Sequence, residues 1–540
     1  MSENGKEARS KGGAILAGAS FCVFGAALWL RFFHLSNIPG INGDEAWYGV
    51  QALKLINGEP IAWRTPTIPW LNPFYIGLVY LVHLVITPSE LALRLPAVLC
   101  GIAALVVNYE AAKRLFGQAT ANISTIVLAV LPASIMYSRL GWDAAETPLA
   151  IVLVLYASLA IVCASKPRIF VMLALLACGV AVVIHPVNLI AGIIPLVALA
   201  ARHGRASVRL LLAGGPPRRL ASFAGLALLH VLAGLLLRYP LREFNRVFGS
   251  PASHIVQPAV WLECGRGFVD LLSGISTYRY IAGSNPQPAF HTAVFALLIL
   301  WAVLVFAWTF RSQTRVDKVL WLLTALTLLA FFAFTGTMGF EPHRNRYALL
   351  LVPSAALCFS RSLILLGERI GPRLRAGLLW ISLALGALIL ADCYANVFHF
   401  IRETGGRGAR TYRTAEEDPK FAAARFVKSK ERRQEPTTIY AEDWWLRTPA
   451  EYYAVGSPHV QVYEINNTES FAALLEERSS KFVWGKPFWL LLYPDGENYK
   501  KAIEILRRNN ALAEEKVFAD YAGNPVVAAI LLSTENRNPL

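Results

Sequence analysis

Of 540 residues, 55% are hydrophobic and only 16% are charged, and the mean hydropathy is +0.45. These values lie outside the range of soluble domains and inside that of polytopic membrane proteins. The net charge of +15 does not point to nucleic acid, because residues 397–540 carry 20 Lys+Arg against 20 Asp+Glu and the basic excess belongs to the apolar part.

Apolar runs of roughly 17–23 residues, long enough to cross a hydrocarbon core of about 30 Å as helices, recur along the chain. Eleven are read, at about 13–33, 91–110, 119–137, 147–163, 169–184, 186–201, 220–237, 291–310, 319–337, 347–365 and 376–396. The first follows MSENGKEARSKGG, lacks a small-residue cleavage site and is followed by further spans, so it reads as a retained helix. Between the first two spans, LNPFYIGLVYLVHLVIT (71–87) is apolar but short and carries Asn72, Pro73 and His83. It reads as a juxtamembrane helix, since counting it as a crossing would turn the basic loops outward, against the positive-inside bias. With a cytoplasmic N-terminus, Lys113, Arg114, Lys166, Arg168, Arg202, Arg311 and Arg369 gather inside, and the C-terminal tail is outside.

The acids then sort to the outer face, with Asp44, Glu45, Asp143, Glu146 and Glu341 among them, as do Arg94, Arg139, Arg344 and Arg346. Charges near membrane level are costly and mark a cavity or substrate path. Sugar transfer needs a carboxylate to take the acceptor's proton and cations to hold the departing phosphate. In INGDEAWYGV (41–50), Asp44 suits the base; on pattern alone it suits a helix cap equally well, with Glu45 favouring the helix N-terminus. The short loop YSRLGWDAAETPL (137–149) carries Arg139, Asp143 and Glu146, with acceptor contact and helix capping as the two readings of its acids. In FEPHRNRYALLLVP (340–353), Arg344, Arg346 and Tyr347 stand at a span mouth, suited to a lipid phosphate or to anchoring among headgroups. Arg94, in LALRLP, has the same two readings.

The order and sidedness of these motifs resemble the GT-C superfamily of integral-membrane glycosyltransferases, and within it the protein O-mannosyltransferase and aminoarabinose (lipid A) transferase group. The likeness is carried by Asp44-Glu45, by NPFYIGLVYL, by LRLPAVLCGIAALVVNYEAAKRLFG, by SR shortly before Asp143 and by Arg346-Tyr347, and it covers roughly residues 10–400. It implies an inverting transferase using a polyprenyl-phosphate sugar, with a catalytic group of Asp44, Glu45 and Asp143 in which Asp44 is the general base. Arg94, Arg344, Arg346 and Tyr347 would bind the donor phosphate, and Arg139, Glu146 and His185 are candidate acceptor or carrier contacts. Where the group shows HPP before the juxtamembrane helix, this chain has TPTIPWLNP, so its acceptor handling is open to differ.

The long loop 238–290 is expected to cap the cavity, with Trp261, Tyr278 and Tyr280 as sugar-stacking or interfacial aromatics. After a glycine-rich linker (401–420), apolar runs shrink to strand length. PTTIYAEDWW, HVQVYEI, PFWLLLYP and NPVVAAILL alternate with helical TPAEYYAVG, ESFAALLEERSSK and NYKKAIEILRRNN, which predicts a small extracytoplasmic α/β domain over 421–540. The pair Trp444-Trp445 beside Glu442 and Asp443 suits either carbohydrate or the membrane domain.

The expected architecture is therefore a polytopic α-helical membrane domain (1–400) of about eleven spans followed by that domain. No nucleotide loop or zinc pattern occurs, and the seven cysteines form no framework. No cofactor is required; two carboxylates, Asp44 and Asp143, leave Mg²⁺ or Mn²⁺ possible. The partners are a polyprenyl-phosphate sugar donor, a lipid, protein or polysaccharide acceptor and the bilayer, with no nucleic acid. The expected setting is a bacterial inner membrane. The rival readings are a lipid-linked sugar transporter or flippase, and a glycan-binding membrane scaffold.

Overall fold

A computed structural model of the chain describes residues 3–62, 72–212, 257–430, 436–457, 459–465 and 488–532, with a few isolated positions between. The helices that position the site, in chain order, are α1 (Glu3–Phe32), α2 (Gly43–Ile56), α3 (Pro73–His83), α4 (Glu90–Phe116), α5 (Gln118–Val130), α6 (Pro132–Tyr137), α7 (Thr147–Cys163), α8 (Pro167–Ile184) and α9 (Ile193–Leu212). They continue with α10 (Pro258–Ser273), α11 (Pro288–Thr309), α12 (Arg315–Thr335), α13 (Val352–Ile370) and α14 (Pro372–Cys393). Among the described residues, nine helical segments are long and apolar enough to cross a membrane. The chain is an integral membrane protein.

Of the eleven expected spans, 220–237 lies outside the described residues. The run 119–137 is divided: Pro132 has no N–H to continue the ladder, so α5 ends at an extended Leu131 (φ −60°, ψ 126°) and α6 starts afresh. The segment at 71–87 forms the 11-residue α3, entered at Pro73 with Asn72 Oδ1 accepting from the backbone of Phe74 and Tyr75. In the stretch expected as a long loop, residues 258–273 form a helix that packs against Gly336–Phe340. Tyr278 is buried and donates to Asp392 Oδ2 at 2.9 Å, and Tyr280 meets Tyr412 edge-to-face at 5.3 Å.

The C-terminal domain is built on one five-stranded sheet, from β1 (Thr437–Ala441), β2 (Val460–Glu464), β3 (Phe488–Leu492), β4 (Leu512–Ala519) and β5 (Pro525–Leu532), in the order β2-β1-β3-β5-β4. The first three strands are parallel, and β5 and β4 turn antiparallel. Every residue of β3 is buried, as a central strand covered on both faces requires. Helices α15 (Pro419–Ser429), α16 (Trp444–Ala454) and α17 (Glu497–Arg508) pack on the sheet. Strand β4 was not among the expected strands, because LAEEKVFA puts three charges into eight residues. The expected helix ESFAALLEERSSK lies mostly outside the described residues.

Two seams join the domain to the membrane helices. In the first, α2 is clamped between α4 and α16: a Cβ on Gly49 would sit 2.4 Å from Leu93 Cδ2 and 2.6 Å from Tyr452 Cε2, so only glycine fits. Tyr452 also receives the Ser89 amide at 2.9 Å and meets His83 Nε2 at 2.7 Å. In the second, the glycine-rich segment expected as a linker is held along its length. Arg407 N donates to Ala282 O (2.7 Å), Ala409 N to Tyr280 O (3.0 Å) and Gly40 N to Tyr412 O (3.2 Å). Gly283, at φ +75°, lets this strand approach to where a Cβ would meet the Arg407 carbonyl carbon at 2.0 Å.

Candidate active site

The turn that opens α2 presents two adjacent acids in different surroundings. Asn42 and Glu45 form a reciprocal capping box, with Asp44 N donating to Asn42 Oδ1 (2.8 Å) and Asn42 N to Glu45 Oε1 (2.9 Å). Glu45 is fully buried and pairs with Arg94, whose Nε lies 2.9 Å from Oε2, and it also accepts the Gly141 amide at 2.7 Å. Arg94 also donates to the carbonyls of Leu35 (3.0 Å) and Gly40 (3.1 Å) and to Glu45 Oε1 (3.2 Å). Each guanidinium nitrogen of Arg94 is thus engaged, and the side chain is fully buried. The expectation that Glu45 joins the catalytic group and Arg94 grips the donor therefore gives way to a closed ion pair that fastens the first loop to the second.

Arg139 is held by carbonyls through Nη1 and Nη2, while its buried Nε has no partner among the described residues. Its guanidinium donates to the carbonyls of Leu30, Phe33, His34 and Ile38 and lies 4.8 Å over the Phe398 ring. It pins the exit of α1 and does not face an acceptor. Glu146 accepts from Asn72 Nδ2 at 2.5 Å and ties the start of α3 to the second loop. Arg344 stands 3.7 Å from Glu341.

Asp44 is different. One oxygen accepts from Trp444 Nε1 at 3.3 Å, and among the described residues no side chain or backbone donor claims the other. Burial raises its carboxyl above the usual range, while Arg346 and the indole N–H pull it down and Glu45 adds a smaller upward push. Asp143 lies on the short turn Asp143–Glu146, and its charge acts with that of Asp44 on Arg346. The structure thus brings Asp44, Asp143 and Arg346 together, and no carboxylate of the described residues lies within ion-pair distance of the guanidinium.

Arg346 sits on the turn Asn345–Leu351 that leads into α13. Its guanidinium lies 4.7 Å over the Trp142 ring and 5.0 Å from the Tyr347 ring, and donates to Tyr347 Oη at 3.2 Å. His185 lies against Tyr347 at 4.7 Å between ring centroids, and its Nδ1 accepts the Val187 amide at 3.1 Å, which assigns the ring proton to Nε2. Tyr137 stacks on Trp142 at 6.3 Å and donates to Asn345 Oδ1. Three buried N–H groups of this cluster, Trp142 Nε1, Asn345 Nδ2 and His185 Nε2, have no acceptor among the described residues. Each buried donor that stays unsatisfied costs about 1–3 kcal/mol.

Sequence reasoning singled out Asp143 and Arg346 but passed over their neighbours Trp142 and Asn345, as well as Tyr137. All three stood in stretches already noted for their charges. Trp444 was left between carbohydrate and interface; it lies at the interface, with Trp445 packed on Gly43. For a divalent ion, Asp44 and Asp143 supply two carboxylates, and among the described residues no three His, Cys, Asp or Glu side chains form a metal-holding group.

A family model described as dolichyl-phosphate-mannose-protein mannosyltransferase matches residues 67–215. The crystal structure of ArnT from Cupriavidus metallidurans in the apo state aligns over 99% of this chain and 100% of its own, with 14% identity and a TM-score of 0.50. The same ArnT bound to undecaprenyl phosphate aligns over 98% and 99%, with 16% identity and a TM-score of 0.49. The Archaeoglobus fulgidus oligosaccharyltransferase in complex with Zn and sulfate aligns over 87% of this chain and 67% of its own, with 15% identity and a TM-score of 0.50. No curated protein matches by sequence. At such identities the structures with a TM-score of 0.50 share a fold with this chain, and the family model matches its own segment alone.

Proposed function

We propose that this chain is a membrane glycosyltransferase that moves a sugar from a polyprenyl-phosphate carrier to an acceptor, with inversion at the anomeric carbon. The observation that carries the reading is that Asp44, with one carboxylate oxygen unclaimed among the described residues, shares its surroundings with Arg346 and with buried N–H groups that lack acceptors among those residues. An acceptor hydroxyl or amine loses its proton to Asp44 as it attacks the anomeric carbon. The bond from that carbon to the phosphate oxygen breaks, and the lipid phosphate leaves onto Arg346, Tyr347, Trp142, Asn345 and His185. Asp143 adds negative charge that acts on Arg346 without an ion pair and stands as a candidate contact for the acceptor. Burial makes Asp44 a stronger base than an exposed aspartate, and the charge-assisted bonds of Arg346 suit a departing phosphate. The family model names a dolichyl-phosphate sugar as donor, which agrees with a phosphate site at the mouth of a span.

Glu45, Arg94, Arg139 and Glu146 serve this reading by fixing the two loops that present Asp44 and Asp143. The basic loops favour a cytoplasmic N-terminus and put the site on the extracytoplasmic face; a bacterial inner membrane with the site toward the periplasm is the setting proposed.

The test is mass spectrometry of polyprenyl-phosphate lipids from host cells carrying the wild type or Asp44→Asn at matched membrane abundance. One lipid-linked sugar should accumulate in the mutant alone. Indistinguishable lipid profiles and surface glycans would remove Asp44 from the chemistry and favour transport or glycan binding.

A further inference from the structure

Among the described residues, the sheet domain bonds to Asp44 through the side chain of Trp444. Trp444 is the first residue of α16, and its indole is nearly buried, with 8% of the residue exposed. Its direction is set from several sides. Asp443 caps the helix, accepting from the amides of Trp445 (2.9 Å) and Leu446 (3.1 Å), and is itself held by Tyr493 Oη at 3.1 Å. Glu442, at the end of β1, accepts the Tyr493 amide at 2.8 Å and so joins the ends of β1 and β3 beneath the cap. From the membrane domain, Gly43 leaves room for the ring: a Cβ there would lie 3.0 Å from Trp444 Cδ1 and 2.8 Å from Trp445 Cε3. Thr448 Oγ1 lies 2.9 Å from Gly43 O and fastens α16 to the same turn.

We propose that Trp444 is a positioning residue for Asp44, its indole N–H holding Oδ1 so that the other oxygen is the one presented to the acceptor's proton. The inference rests on the reading of Asp44 as general base and extends it: the C-terminal domain supplies part of the active site. A carboxylate on a two-torsion side chain can turn either oxygen to the acceptor; one fixed donor removes that freedom, and loosely held bonds of this kind tighten when substrate closes the site. The remaining groups that face Asp44 are Glu45 and Tyr48 on its own helix, Asp143, Arg346 and Tyr280. None of these is a neutral donor bonded to the carboxylate, so the indole is the group whose loss isolates the effect.

The experiment is an infrared pH titration of the purified full-length protein in lipid vesicles, with the Asp44 carboxyl band assigned by its absence in Asp44→Asn. Trp444→Phe should move the titration midpoint up by about one pH unit, a tenfold change in the protonation constant. Thr448→Val, which weakens docking without touching Asp44, should leave the midpoint in place. If Trp444→Phe does not fold, Trp444→benzothienylalanine exchanges N–H for sulfur in a ring of the same shape and should give the same shift. An unchanged midpoint overturns the positioning role, and so does an equal shift in Thr448→Val, which would assign the effect to docking. The base reading stands or falls separately: if Asp44→Asn cells leave every lipid-linked sugar unchanged, that reading fails whatever the titration shows. If they accumulate one and Trp444→Phe titrates as wild type, only the positioning role is lost.

Discussion

Glu45 and Arg94 face each other at 2.9 Å, and neither side chain is exposed to solvent. Removing one member of such a pair strands the other charge away from water, at a cost of about 3–5 kcal/mol. Glu45→Gln and Arg94→Met should each lower the unfolding temperature in detergent and the yield of folded protein, and the double replacement should recover part of the loss. Single variants as heat-resistant as the wild type would return Arg94 to the list of free phosphate ligands.

Arg346 is the contrasting case, a guanidinium lying over Trp142 with most of its donors uncommitted among the described residues. Arg346→Ala should keep the fold and lower turnover by about 10²–10³, the usual loss when one preorganised charge stabiliser is removed. Arg346→Lys should recover little, because an ammonium neither lies flat on the indole nor makes paired bonds to phosphate. The check is the level of lipid-linked sugar in cells with matched membrane abundance. Full recovery by lysine would reduce the residue to a point charge.

The carboxyl of Asp44 is raised chiefly by burial. As the base must be unprotonated, turnover should fall with decreasing pH at values above the ordinary aspartate pKa of about 3.9. Stability runs the opposite way. The native state holds this proton more firmly than the unfolded chain, so the group's contribution is complete below the unfolded pKa and is lost as pH rises through the raised one. At neutral pH, Asp44→Asn should be inactive yet at least as heat-resistant as the wild type. A wild-type rate that stays flat down to about pH 4 would contradict the assignment.

Gly49 lies where α2 is squeezed between Leu93 and Tyr452. Gly49→Val forces either a side chain or the helix to move, and overpacking of this kind costs about 1–3 kcal/mol. The expected result is a lower unfolding temperature together with faster proteolysis near residues 405–418. Unchanged proteolysis would show that the clamp tolerates expansion.

Much of this architecture was legible in the chain because length and apolarity alone suffice to mark a membrane helix. Pro132 shows the limit: a run of the right composition is divided by a residue that cannot donate. The strands β1, β2, β3 and β5 stood out by their apolar runs, whereas the charged edge strand β4 did not. At the site, sequence located the charges but not their partners. Arg94 and Arg346 look alike as arginines at membrane level; one is consumed by Glu45, 49 positions away, and the other is not. Trp444 was hardest to read, because its partner lies 400 positions earlier and an indole carries no charge to advertise it.

The hold on residues 405–418 bears on how such proteins can be recombined. Gly40, Ile41 and Asn42 take their partners from Tyr412 and Asp418, with Ile41 N donating to Asp418 Oδ2 at 2.6 Å and Asn42 Nδ2 to Tyr412 Oη at 3.1 Å. The boundary between the two halves is therefore a braid and not a hinge. A chimera cut after α14 would leave the first loop's amides without acceptors and the Asp44 turn without its support. An exchange between relatives that moves the sheet domain must therefore carry residues 35–56 with it and keep the Arg94 and Arg139 that grip those residues from the membrane side.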